Sequence, residues 1–146
     1  MITPDNLWCL AEEYYKAGRT LFLKGKKNIN YGIPCYYLYC HSIELSLKAF
    51  LLGRGINQNE LKKRKYGHNL EALLNEARRR KLGREVKLDK NDLKMIKFFN
   101  VLYSNKEFEY SERWSVPQVP NASYLDMTAK KFLKGLYDYT IEKTTV

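Results

Sequence analysis

The chain has 146 residues, 45% of them apolar and 29% charged, a balance that fits one globular domain and excludes a disordered chain. A chain of this size buries roughly 68–70% of its unfolded surface, so it needs no disulfide or metal staple. The formal net charge is +10, which raises the odds of a polyanionic partner.

In chain order, Thr3-Pro4 reads as an N-cap followed by a first-turn proline. Leu7, Leu10, Ala11, Tyr14, Gly18, Leu21 and Phe22 then recur at helical spacing and predict a helix to about Lys24. Gly18 on that stripe leaves room for a second helix to approach closely. Gly25 and the polar stretch up to Tyr31 predict a connector. A second helix is expected from about Ile33-Pro34 to just before Gly53. It is apolar on most sides (Tyr36, Leu38, Tyr39, Ile43, Leu45, Leu47, Phe50, Leu51), the mark of a central, buried helix. A polar, basic loop follows from about Ile56 to Gly67.

Leu70, Leu73, Leu74 and Ala77 predict a short third helix with Gly83 after its end. Asp89, with Asp92 three residues on, opens a fourth helix carrying Leu93, Ile96, Phe99 and Tyr103. Asn105–Ala122 holds Pro117 and Pro120 and no sustained period, so a loop is expected, with Tyr110 and Trp114 as candidates for a contact surface. Ser123 and Asp126 resemble a capping box opening a fifth helix with Leu125, Ala129, Phe132, Leu133, Leu136 and Tyr137. No strand alternation appears. The expected fold class is all-α: a single antiparallel bundle of about five helices over residues 1–146.

No apolar run approaches the roughly 18–20 residues of a membrane-spanning helix, so no membrane partner is expected. Cys9, Cys35 and Cys40 are odd in number, and Met1–Asn6 lacks the basic and apolar regions of a signal peptide. A reducing, cytoplasmic location is expected from both observations. The charge is unevenly placed. Between Arg54 and Lys90 there are 12 basic and five acidic side chains, +7 of the total. The excess peaks at Lys62, Lys63, Arg64 and Lys65 and again at Arg78, Arg79, Arg80 and Lys81, which are the candidate nucleic-acid-binding residues. The alternative is a solvated surface in a basic protein, and the second cluster also suits the negative pole of the third helix.

The second helix carries the most informative pattern. Tyr37, His41, Glu44 and Lys48 are spaced by four, three and four residues, which puts them on one face of an otherwise apolar helix. Glu44 and Lys48 stand in the favourable order for an i, i+4 ion pair. Such a stripe is either an internal ion pair fixing the helix register or a site at a bundle or subunit interface. Cys35-x4-Cys40-His41 is not a tight zinc spacing, so core cysteines and no metal are expected. No glycine-rich phosphate loop is present, and no cofactor is expected. His68 beside Asn69 is expected to help cap the third helix.

The run His41-Ser42-Ile43-Glu44-Leu45-Ser46-Leu47-Lys48-Ala49-Phe50-Leu51-Leu52, followed after a loop by Tyr66-Gly67-His68-Asn69-Leu70 and Leu73-Leu74, resembles the HEPN superfamily. Its members are helical bundles with Glu-x-x-x-Lys on the central helix, matched by Glu44 and Lys48. One branch has a Gly-His-Asp/Asn-Leu helix start, matched by Gly67–Leu70. The resemblance implies RNA-directed biology in toxin–antitoxin, defence or RNA-processing systems: metal-independent ribonucleases, non-catalytic RNA binders, or partners of a separate nucleotidyltransferase or antitoxin. It also implies a homodimer, with the polar site near the seam and a second copy of the chain covering the Tyr37/His41/Glu44/Lys48 face.

The ribonuclease branch carries Arg-x4–6-His. Upstream of His68 the required positions hold Lys63, Lys62 and Leu61, with Arg64 one residue too close; upstream of His41 they hold Tyr36, Cys35 and Pro34. Arg113 has no histidine after it. No catalytic residue is therefore assigned, and His68 is the candidate base if the chain is active. The expected function is a non-catalytic or degenerate module that binds RNA or pairs with a nucleotidyltransferase-type partner. The alternatives are an active ribonuclease toxin and a structural adaptor.

Overall fold

The computed structural model describes residues 1–28, 32–105 and 120–145. Among them are six α-helices and one 3-10 turn, with no strand. The helices are α1 (Pro4–Asn28), α2 (Gly32–Gly53), α3 (Gln58–Leu61), α4 (Leu70–Arg79), α5 (Lys90–Ser104) and α6 (Ala122–Thr145); the 3-10 turn is Leu82–Arg84. The all-α bundle expected from periodicity is what forms. No helix among the described residues is long and apolar enough to cross a membrane.

α2 is the axis. It touches α1, α4, α5 and α6, and Tyr39, Cys40, Ile43, Leu47, Phe50 and Leu51 on it are fully buried. Neighbours on all sides explain why its apolar residues do not keep to one stripe. α1 runs antiparallel to α2: the Cys35 thiol meets the Gly18 carbonyl (3.5 Å) and the Ser42 hydroxyl donates to the Ala11 carbonyl (2.8 Å). α1 is also antiparallel to α6, since Trp8 Nε1 donates to the Leu133 carbonyl and the Asp5 amide to Thr144. α2 and α6 are therefore parallel to one another, and α3, α4 and α5 make the long return between them.

Gly18 does what its place on the stripe suggests. A Cβ there would sit 3.1 Å from the Tyr39 ring and 3.4 Å from the Leu38 Cβ, so the missing side chain lets α1 close on α2. Asp89 and Asp92 form a complete capping box at the start of α5.

Four boundaries differ from expectation. α1 continues through Gly25 to Asn28, because a glycine in a helix costs only about 1 kcal/mol and Phe22 packs into the core. The basic loop after α2 contains α3, capped by Asn57 on the Glu60 amide. α4 is stopped by Lys81 in the left-handed conformation (φ 72°), ahead of the expected Gly83. At the start of α6 the Asn121 side chain takes the Ser123 amide, while Asp126 turns inward. Most of the expected Asn105–Ala122 loop, with Tyr110, Arg113 and Trp114, lies outside the described residues. Cys35 and Cys40 are buried and Cys9 is exposed, all as free thiols.

Candidate functional site

The polar stripe of α2 is the centre of a cluster that two other elements complete. Glu44 is only 3% exposed. Its Oε2 accepts from Lys48 Nζ at 2.7 Å, the expected i, i+4 pair. Its Oε1 accepts from the Tyr103 hydroxyl of α5 at 2.5 Å and lies 3.0 Å from His68 Nδ1. His41 Nδ1 lies 2.8 Å from the same Tyr103 oxygen, and His68 Nδ1 lies 3.2 Å from it. Tyr37 stacks on His41, with ring centroids 5.8 Å apart and planes 9° apart, and Tyr14 of α1 meets His41 edge-on at 4.4 Å. All four stripe residues and His68 are thus brought together.

The lid expected from a second subunit is supplied by the chain itself. Tyr103 and His68 cover the Glu44 carboxylate, so burial of this charge requires no partner copy. In the sequence Tyr103 is legible only as a packing residue on the Ile96/Phe99 stripe, and its 59-residue separation from Glu44 leaves no mark there. Asn100, just before it on α5, carries no sequence signal either. Its side chain accepts from the Leu70 amide (2.7 Å) and donates to Asn69 (3.3 Å), locking the start of α4 to α5.

His68 does not cap α4. Asn69 does, accepting from the Ala72 amide at 3.1 Å. His68 instead takes a left-handed backbone (φ 53°), one that histidine adopts more often than most non-glycine residues. A turn from Lys63 to Gly67 on one side and the Asn69 cap on the other hold it there. That conformation aims the imidazole back at Glu44.

The proton positions follow from counting donors. The Tyr103 proton is committed to Glu44, and a carboxylate only accepts. Both imidazoles therefore present Nδ1–H to the cluster. Burial pushes the His41 pKa down, with His68 and Lys48 adding to the effect against Glu44. Burial pushes the Glu44 carboxyl up, but Lys48, Tyr103 and His68 together outweigh it and hold it below its ordinary value. Burial and the neighbouring carboxylate push Tyr103 strongly up, so it stays a phenol. The set offers an ionised carboxylate, a cation, two imidazoles and a phenol.

A pH dependence follows. His41 binds its proton more weakly folded than unfolded, so below its ordinary value of 6.5 the unfolded chain takes up a proton that the folded chain resists. Glu44 is depressed, so the stability it contributes is present above 4.5 and lost as the pH falls through its folded value. Both act in the same direction. The urea midpoint should fall steadily from about pH 7 to about pH 4, and His41→Gln should flatten the upper half of that decline. A midpoint constant between about pH 7 and 5 in the parent chain would contradict the assignment to His41.

The two basic clusters lie elsewhere. Lys62, Lys63, Arg64 and Lys65 are all exposed, as are Arg78, Arg79 and Lys81, with Arg80 half-buried. Lys63 and Lys65 pair with Glu60, and Arg79 and Arg80 with Glu76. An open depression of about 410 Å³ is lined by Lys65 of the first run and by Arg79 and Arg80 of the second, beside Tyr66, Glu60 and Glu76. Lys65 Nζ sits 4.8 Å from the Tyr66 ring centroid.

Comparison with protein-family models, with curated proteins and with solved structures finds no match to this chain.

Proposed function

We propose that this chain is a non-catalytic or degenerate HEPN-like helical module that binds RNA, or pairs with a nucleotidyltransferase-type partner, in a toxin–antitoxin or defence setting, and we favour the RNA-binding reading. One observation carries the binding: Lys65 of the first basic run and Arg79 and Arg80 of the second line a single depression, with Lys62, Lys63 and Arg64 exposed nearby in sequence. Cations around a groove track phosphates. The two glutamates in the depression each hold two cations in place, which fixes the direction of those side chains at the cost of some net charge. The homodimer of this reading rests on the resemblance, since Glu44 is already covered within one chain.

The test is the salt dependence of binding to a single-stranded RNA oligonucleotide. Affinity should fall with a log–log slope of about −0.7 per phosphate neutralised. Changing Lys62, Lys63, Arg64 and Lys65 together to glutamine should flatten that slope by about 0.7 for each phosphate these side chains neutralise in the parent, with helicity unchanged. Absence of binding at low salt would leave the structural adaptor as the better reading.

The ribonuclease reading has one observation in its favour: an imidazole oriented by a carboxylate, His68 on Glu44, with its side chain 43% exposed. That is how a general base is held. It lacks the correctly spaced arginine for the phosphate charge. Incubating the same RNA with protein in EDTA separates the two readings, because cleavage abolished by His68→Ala would favour the enzyme.

A further inference from the structure

The Glu44 cluster brings together two histidines and a carboxylate, donor types that hold transition metals. Among the described residues, one donor atom from each of His41, Glu44 and His68 can be chosen so that all three lie within 4.8 Å of one another. The geometry points to a site for one divalent transition-metal ion, zinc in the first place, held by His41, Glu44 and His68 with water from solvent completing the shell.

Zinc bonds of about 2.0–2.2 Å in a tetrahedron put neighbouring ligand atoms about 3.3–3.5 Å apart. The separations in the cluster bracket that length. Glu44 Oε1 is 3.0 Å from His68 Nδ1 and 3.8 Å from His41 Nδ1. The Tyr103 hydroxyl, 2.5 Å from Glu44 Oε1, would orient that carboxylate as an outer hydrogen-bond partner.

Lys48 holds Oε2 and leaves Oε1 facing the cluster, the orienting role that an outer hydrogen-bond partner plays for a metal-binding carboxylate. His68 is half-exposed, which gives the ion a way in. On binding, each imidazole moves its proton from Nδ1 to Nε2, and Tyr103 keeps its phenolic proton. The inference does not depend on the nucleic-acid reading, and its test contains no RNA.

The experiment uses tag-free protein stripped with EDTA and desalted, titrated with Co²⁺ and then with Zn²⁺ in competition. One Co²⁺ per chain should bind with the visible absorption of a four-coordinate N/O site, Zn²⁺ should displace it, and the melting temperature should rise with Zn²⁺. His68→Asn, which keeps a residue tolerant of the left-handed backbone, and His41→Gln should each weaken binding by about 100-fold, at the upper limit for loss of a mere supporting partner. Cys9→Ser should leave binding unchanged. No stoichiometric binding, binding that survives His68→Asn, or binding lost in Cys9→Ser would each overturn the site. Because His68 lies at the surface, His68→Asn decides the matter even if His41→Gln fails to fold.

Discussion

Replacing Glu44 with leucine should lower the unfolding free energy by about 3–5 kcal/mol, the usual cost of removing one member of a buried ion pair. For a chain of this size that is a fall of about 10–15 °C in melting temperature. The loss has three parts. Lys48, whose side chain is 18% exposed, is left without its counter-charge. The Tyr103 hydroxyl and His68 Nδ1 lose their acceptor. Leucine cannot repay these groups, although it fits the volume. The double variant Glu44→Leu/Lys48→Met should recover a good part of the loss, because two apolar side chains of similar size leave no charge behind. Thermal melts of the parent, the two single variants and the double variant give the coupling directly. Single and double variants of equal stability would show that the pair is open to water and contributes little.

Asp126→Ala should cost about 3 kcal/mol, the second largest effect, from the loss of hydrogen bonds to a buried carboxylate. Asp126 is 5% exposed and serves three donors on two helices. Tyr39 of α2 donates a short hydrogen bond to Oδ2, and Tyr15 of α1 donates to Oδ1 at 3.1 Å. Arg19 of α1 reaches both oxygens at 3.1 and 3.2 Å. The Arg19 pairing contributes least, since that side chain is 43% exposed and water can replace the carboxylate. The buried Tyr39 hydroxyl has no such recourse. Burial first, and then Asp126, pushes its pKa far above the ordinary range, so it remains a donor that must find an acceptor. In an Asp126→Ala background, Tyr39→Phe should therefore cost little or even restore stability, whereas in the parent chain it costs about 1.5 kcal/mol. Urea midpoints at constant m-value measure each step. Equal costs for Tyr39→Phe in both backgrounds would show that the two side chains act independently.

Periodicity and capping alone determined the all-α class, the order of the long helices, the central burial of α2 and the Asp89/Asp92 start of α5. Each of these depends on residues within a turn or two of one another, and helical geometry converts such spacing directly into a shared face. The same reasoning placed Tyr37, His41, Glu44 and Lys48 together and paired the last two. Local pattern misled at Asp126. Its distance from Ser123 imitates a capping box, but burial against Tyr15 and Tyr39 offered the carboxylate stronger partners than a backbone amide. The sequence held no sign that Gly135 must lack a side chain, where a Cβ would lie 2.5 Å from the Glu85 carbonyl oxygen. The cluster around Glu44 was likewise decided only in three dimensions. Tyr103 lies on a different helix, and His68 reaches the carboxylate through one left-handed residue that Asn100 helps to hold by anchoring α4 on α5. Proximity across such separations depends on how helices pack and on where a turn aims one side chain, and neither is encoded in spacing along the chain.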